Sequence, residues 1–359
     1  MTANFGIYLH VPFCSHRCDY CAFATWTDRH HLIEPYLLAC KKQAQKISSD
    51  VPQITSVFVG GGTPNLVPAT ELMAIFEDLP LATNVEFTVE CNPDRVTEEQ
   101  MRIYFQSGVT RISMGVQSMV PEVLESLGRE HNPENVAAAV EYIRSAGFKK
   151  LNLDLIYGAA GETMEQWQKS LEVALQLGPD HISAYALTVE AGTPLAEDPG
   201  RHPDDDVQAD KYVMADEMLS SRHYENYEIS NWALADSQCQ HNHLYWNQGE
   251  YMGLGVAAHS QIAGRRFWSV RTPERFIKAI ESGESAEAGG ETLNEADWEL
   301  EGLQLAIRTS NGVPSDVVPE SVAHLVEKAG PGHVRLNRDG RLLANEVAVR
   351  IEPYQSKPS

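Results

Sequence analysis

Three cysteines within eight residues, Cys14, Cys18 and Cys21, are the first side chains in this 359-residue chain that need a chemical explanation. Their spacing is C-x3-C-x2-C, whereas Cys40, Cys91 and Cys239 are scattered. A disulfide framework would be denser and the chain smaller. Three buried thiols in a loop is the plainest account, but Ser15, His16, Arg17, Asp19 and Tyr20 make this loop polar. Zinc closes on four ligands, so His16 or a distant residue would have to complete it. An iron–sulfur cluster ordinarily takes four thiolates, and Phe23 stands where a fourth might follow. Three thiolates on a four-iron cluster would leave one iron open to a small molecule, which is a reactive arrangement rather than an electron relay.

A second set of polar residues recurs where apolar runs end. Gly60-Gly61-Gly62-Thr63-Pro64 follows a β-branched run, and Glu90 closes another. Gln117 closes a third, and Asp154 lies near the end of a fourth between Leu153 and Leu155. Glycines let backbone approach a ligand closely, although an ordinary tight turn explains them as well. The run is neither a Walker loop nor a dinucleotide fingerprint. Glu90 and Asp154 could accept bonds from a ribose diol or an ammonium group; the plainer roles are a helix cap or a solvated charge. A carboxylate buried between leucines needs a partner, which favours a specific role for Asp154. Gln117 offers donor and acceptor together, or is a surface amide. Arg129, in Leu-Gly-Arg-Glu-His-Asn, could clamp a carboxylate, or sit on the surface at a helix end.

The elements that must position these residues alternate. Strands are expected at 6–13, 55–59, 85–89, 110–116, 150–156 and 181–187, with helices between them. Six strand–helix units by residue 190 predict an α/β fold, an incomplete barrel of the (β/α)6 kind related to the eight-fold one. In such barrels the loops at the carboxyl ends of the strands build the site, and the unusual residues above share that rim. The expected organisation is a partial barrel over 1–190 with a cysteine loop at 14–25, and a barrel extension over 191–281. Ser282 to Thr292 reads as a linker. Residues 293–352 read as a small carboxyl-terminal helical domain of winged-helix flavour, a lid or interaction module with a hairpin-like wing turning at Asn337 to Gly340.

Composition bounds the partners. Lysine and arginine number 28 against 50 aspartates and glutamates, for a formal charge of −22. That balance argues against nucleic acid, whose phosphates need clustered cations. No apolar run reaches the roughly 18 residues of a membrane helix, and no secretory signal is visible at the start. The cytoplasm is the expected compartment.

Together these motifs resemble the radical S-adenosylmethionine (SAM) superfamily: the cysteine trio, Gly60 to Pro64, Gly115-Val116-Gln117-Ser118, and Asn152-Leu153-Asp154-Leu155-Ile156-Tyr157-Gly158. Within it the chain resembles the heme-chaperone HemW branch, kin to the oxygen-independent coproporphyrinogen III oxidases. The oxidases carry a further cysteine where Phe23 stands here, and a longer segment before the trio. The chaperone branch carries a His-Asn-x-x-Tyr-Trp element, matched by His241 to Trp246. The resemblance implies a [4Fe–4S] cluster on Cys14, Cys18 and Cys21 with SAM on the open iron. It places Gly61, Gly62 and Thr63 at the methionine end of SAM, and Glu90 and Arg129 by its amino and carboxylate groups. Gln117 and Asp154 would hold the ribose, and Tyr8 would flank the cluster. It also implies heme binding, a heme-accepting protein partner and a role in porphyrin metabolism, and it allows a homodimer. Heme iron takes His, Cys, Met or Tyr; the resemblance puts His241 ahead of Cys239 and His243, which otherwise read as a satisfied structural loop. The competing activity is oxidative decarboxylation of coproporphyrinogen III by a 5′-deoxyadenosyl radical.

Overall fold

A computed structural model describes residues 4–353. Strand and helix alternate as β1 (Phe5–Val11), α1 (Ile33–Ile47), β2 (Ile54–Gly61), α2 (Ala69–Met73), β3 (Leu81–Cys91), α3 (Glu98–Gln106), β4 (Arg111–Gln117), α4 (Pro121–Ser126), α5 (Glu134–Ser145), β5 (Lys150–Tyr157), α6 (Met164–Gln176) and β6 (His181–Ala186). β1 and β5 are buried on both faces almost throughout, as expected of parallel strands covered by helices. The helices start where caps allow. Thr163 and Gln166 form a reciprocal capping box at α6, satisfying donors that a helix start leaves open. The inner face of α6 then buries Trp167, Leu171 and Ala174.

The chain continues through α7 (Asp205–Ser220), β7 (Glu225–Glu228), β8 (Asn231–Ala233), α8 (Gln240–Trp246), β9 (Glu250–Leu254), β10 (His259–Ile262), β11 (Arg265–Ser269), α9 (Pro273–Glu281) and β12 (Glu287–Thr292). One sheet runs β12-β11-β10-β9-β1-β2-β3-β4-β5-β6-β8-β7. From β9 to β6 the pairing is parallel, and the flanking strands are antiparallel. The expected parallel α/β core is therefore present, and β9 extends it on the far side of β1.

The expected linker at 282–292 is corrected by β12. Its Gly289 lies so close to Trp268 of β11 that an added Cβ would stand 2.9 Å from the indole. Glycines in an edge strand mark close approach as well as flexibility, and composition alone does not separate the two.

Beyond it lie α10 (Glu295–Ala306), β13 (Val313–Pro314), β14 (Val326–Gly330), β15 (His333–Leu336), α11 (Arg338–Leu342) and α12 (Ala344–Ala348). They enclose a separate core that includes Ile307, Val317, Leu336 and Val347. The order β13-β15-β14 makes this region mixed rather than purely helical. The hairpin turns before His333, not at Asn337 to Gly340. Asn337 instead caps α11, its side chain accepting from the Gly340 N–H at 2.8 Å, because an Asn ahead of a helical run serves as an N-cap as readily as a turn. Buried Asp216 of α7 ties this region to the barrel: it accepts from both terminal nitrogens of Arg341, from Arg338 and from the Trp232 indole.

Candidate functional site

The carboxyl ends of β1 to β6 converge on one cavity of about 920 Å³. Cys14, Cys18, Cys21, Gly61, Gly62, Thr63, Glu90, Gln117, Arg129 and Asp154 all line it. Tyr8 and His241 are not among its lining residues.

The cysteine loop is held from several sides. Cys14 N–H donates to Trp26 O at 3.1 Å, and the His30 imidazole donates to Cys14 O at 2.8 Å. Asp19 N–H donates to Leu127 O, His16 Nε2 donates to Gly128 O at 3.0 Å, and Arg201 pairs with Asp19 at 2.7 Å. The loop thus docks on the Leu-Gly-Arg-Glu-His turn. Gly128 is required there, with φ at +62° and an added Cβ only 2.6 Å from the Asp19 carboxyl. Tyr8 reaches the loop through a neighbour. Its hydroxyl bonds His10 Nδ1 at 3.0 Å, and His10 Nε2 bonds Ala24 O at 2.9 Å on the return of the loop.

The glycine run belongs partly to β2 itself, since Gly60 and Gly61 pair with His10 and Val11. An added Cβ on Gly62 would lie 2.7 Å from Phe13 O, 2.8 Å from Val11 O and 3.1 Å from Cys14 Sγ. The run therefore lets β2 pass directly against the cysteine loop, and Thr63 Oγ1 approaches Cys14 Sγ at 3.6 Å. Burial pushes the Cys14 and Cys21 thiols up. The Arg129 guanidinium stands 3.6 Å from Cys18 Sγ, so a fixed positive charge already faces the thiols.

Arg129 is itself held: Nη2 donates to Gly115 O at 2.8 Å and Nε to His131 Nδ1 at 3.0 Å. Because that ring nitrogen accepts, His131 carries its proton on Nε2. Burial, reinforced by Arg129, lowers its pKa to about 4 and keeps it neutral. Sequence reading passed over His131, although its place two residues after Arg129 was a usable signal.

Glu90 accepts from the Gly61 N–H at 3.2 Å. Burial first, and the neighbouring Asp154 second, raise its pKa to about 8. Burial likewise raises Asp154, against bonds from Asn152 and Ser113 that favour its charge. Two carboxyl groups that resist ionisation together make a favourable seat for a cation. Gln117 has φ of +62°, where non-glycine residues are uncommon. The strand slips register here, and Ser118 N–H folds back to Val116 O at 2.7 Å. This kink turns the Gln117 amide into the cavity, where it has no hydrogen-bond partner among the described residues. Backbone strain of this kind collects at ligand sites, and no residue-type pattern announced it. Tyr185, near the end of β6, and Thr188, just past it, complete the wall.

His241 lies elsewhere. It is fully buried in α8 against the amino-terminal halves of β1 and β2. Nδ1 bonds Ser56 Oγ at 2.9 Å and Nε2 bonds the Tyr245 hydroxyl at 2.8 Å. Burial lowers its pKa to about 3. Neither ring nitrogen is free for heme iron in this arrangement. Cys239 is buried just before α8, and His243 Nε2 bonds Gln238 at 2.8 Å.

Among the described residues no group of three or more His, Cys, Asp or Glu side chains is arranged to hold a single metal ion. A tetrahedral zinc would need sulfurs about 3.8 Å apart, given Zn–S near 2.3 Å. A cubane binds each thiolate to a different iron and spreads them wider. The donor set, the backbone cradle at Gly62 and the cationic Arg129 fit the cluster better than the single ion.

Comparison with known proteins agrees with this geometry. The Radical SAM superfamily model matches residues 8–174. The heme chaperone HemW of Mycobacterium tuberculosis is 39% identical, covering 86% of this chain and 83% of its own. That of Bacillus subtilis is 31% identical over 95% and 97%, and that of Escherichia coli 33% over 79% of each. The coproporphyrinogen III oxidase HemN of Escherichia coli superposes with a TM-score of 0.84 over 97% of this chain and 90% of its own, at 20% identity, a likeness of fold.

Proposed function

Since the chain belongs to the HemW family of heme chaperones within the radical SAM superfamily, we propose that it carries a [4Fe–4S] cluster and SAM in the cavity, binds heme, and passes it to acceptor proteins. The observation that carries this reading is the shared cavity. Three cysteines face a glycine cradle, a held arginine and two half-buried carboxyls, in a chain with HemW relatives along most of its length. Cys14, Cys18 and Cys21 would ligate the cluster. Gly61, Gly62 and Thr63 would meet the methionine end of SAM. Glu90 and Arg129 would take its ammonium and carboxylate, and Gln117 and Asp154 its ribose. Tyr8 would support the cluster loop through His10. When bound, the cluster and SAM supply radical or electron-transfer chemistry; the chain orients them and limits water. Phe23, 64% exposed on the cavity wall, supplies no fourth sulfur.

Heme binding at α8 through His241 requires its Ser56 or Tyr245 bond to give way, so α8 opens as heme enters. The setting is the cytoplasm and porphyrin metabolism, and no described helix is long and apolar enough to cross a membrane. Anaerobically reconstituted protein, given coproporphyrinogen III, SAM and reductant, should return the porphyrinogen unchanged while taking up heme in a parallel titration. Decarboxylated product would favour the oxidase instead. Light scattering with and without heme tests the homodimer.

A further inference from the structure

Beneath Asp154 a row of buried polar side chains crosses the barrel interior, and the direction of each of its bonds can be deduced. The Cys239 N–H can only donate, and it meets the Tyr227 hydroxyl oxygen at 3.4 Å. That leaves the Tyr227 proton for His181 Nε2 at 2.8 Å, the direction required because the Asn152 oxygen, not its nitrogen, faces His181 Nδ1. A ring whose Nε2 accepts carries its proton on Nδ1, which donates to Asn152 Oδ1 at 2.6 Å. Ser183 Oγ donates to the same oxygen at 3.2 Å. The Asn152 nitrogen therefore faces the other way, donating to Asp154 Oδ1 and to Ser113 Oγ, each at 2.8 Å. Ser113 Oγ closes the set on Asp154 Oδ2 at 3.1 Å. Turning the Asn152 amide over would set its oxygen against the Asp154 carboxyl and break the bond from His181.

Every donor in this row points toward Asp154. Aligned bonds in a buried setting polarise one another and strengthen the last one. Tyr227, His181, Asn152, Ser183 and Ser113 are all buried, so water cannot substitute. Burial, with the buried Arg111 guanidinium nearby, keeps His181 neutral, which the sequence of donors requires.

We infer that Tyr227, His181 and Asn152 are positioning residues for Asp154, a directed hydrogen-bond chain that fixes its carboxylate from the segment leading into α8. This rests on the reading that Asp154 meets the ribose of SAM. The test is a double-mutant cycle on reconstituted protein, with SAM dissociation constants measured by equilibrium dialysis. Tyr227→Phe should weaken SAM by about three- to tenfold when Asp154 is present, and by less than about twofold in an Asp154→Asn background. Cluster content should stay equal in all four proteins. Equal losses in both backgrounds, or no loss in the first, would overturn the inference. A parent protein that binds no SAM would overturn the functional reading instead. The chain is then judged by ¹⁵N-histidine NMR of the full chain: a proton on His181 Nδ1 upholds it, and one on Nε2 refutes it.

Discussion

The two ends of the barrel use similar residue types to opposite effect. At the carboxyl end, the Gln117 amide has no partner among the described residues, Glu90 has one backbone donor, and three thiols lie open to a cavity. At the other end, His241 is fully buried and both ring nitrogens are bonded, and the Glu86 carboxylate accepts from the backbone N–H groups of Gln240 and His241 at the start of α8. Polar groups with spare bonding capacity, held by backbone, define a ligand site. A buried ring whose two nitrogens are both bonded within the fold, as in His241, defines a structural plug. The contrast says that cofactor binding at the first end needs little rearrangement, whereas heme at the second needs α8 to move.

The largest effect should fall at the open end. Cys18→Ser should reduce bound iron from roughly four per chain to near none after anaerobic reconstitution, with unfolding by denaturant little changed. Retention of full iron and sulfide would break the comparison at its root. At the closed end the opposite split is expected. His241→Ala leaves Ser56 and Tyr245 without a partner and opens a void beneath β1. It should cost about 2–4 kcal/mol in the denaturant midpoint while cluster content stays at the parent level. If heme titration is also lost, the plug doubles as a heme contact. Heme loss with no change in stability would show that His241 is not a plug.

A smaller effect is a pH dependence confined to the open end. Glu90 has a folded pKa of about 8 against an ordinary value of 4.5. A carboxyl raised in this way contributes stability that is full below about 4.5 and is lost as pH rises through about 8. An ammonium beside it reverses the preference, since it favours the carboxylate. SAM affinity should therefore increase from about pH 6 to about pH 8, and Glu90→Gln should flatten that slope. Parallel profiles for the two proteins would show that Glu90 does not meet the cation.

The same contrast explains what the sequence disclosed. The parallel core was legible because β-branched and apolar runs alternate with stretches of helical spacing. The open rim was legible because Cys14, Gly62, Glu90 and Asp154 interrupt apolar runs at strand ends. What stayed hidden depends on contacts between distant segments. Asn152, Ser183 and His181 look like ordinary strand residues until β5 and β6 pair and Tyr227 folds over them. His241 carries the residue type of a heme ligand, but its two bonds come from Ser56, 185 residues away in the chain, and from Tyr245, and no local pattern reports the first. Gly289 and Gly290 resemble a linker because the Trp268 ring that explains Gly289 lies on another strand.

The smallest effect addresses whether the strain at Gln117 serves the ligand or the fold. A left-handed backbone costs a non-glycine residue roughly 1–2 kcal/mol, and glycine adopts it freely. Glycine also makes the unfolded chain more flexible, which offsets part of the relief. Gln117→Gly should therefore leave the melting temperature unchanged or raise it by a few degrees. It should nonetheless weaken SAM several-fold, because the amide that the kink aims into the cavity is gone. Gln117→Ala separates the contributions, since it loses the amide and keeps the strain: similar SAM loss is expected with a lower melting temperature than the glycine variant. If Gln117→Gly instead bound SAM as the parent does while melting lower, the kink would belong to the sheet, and the open end would resemble the closed one at this residue.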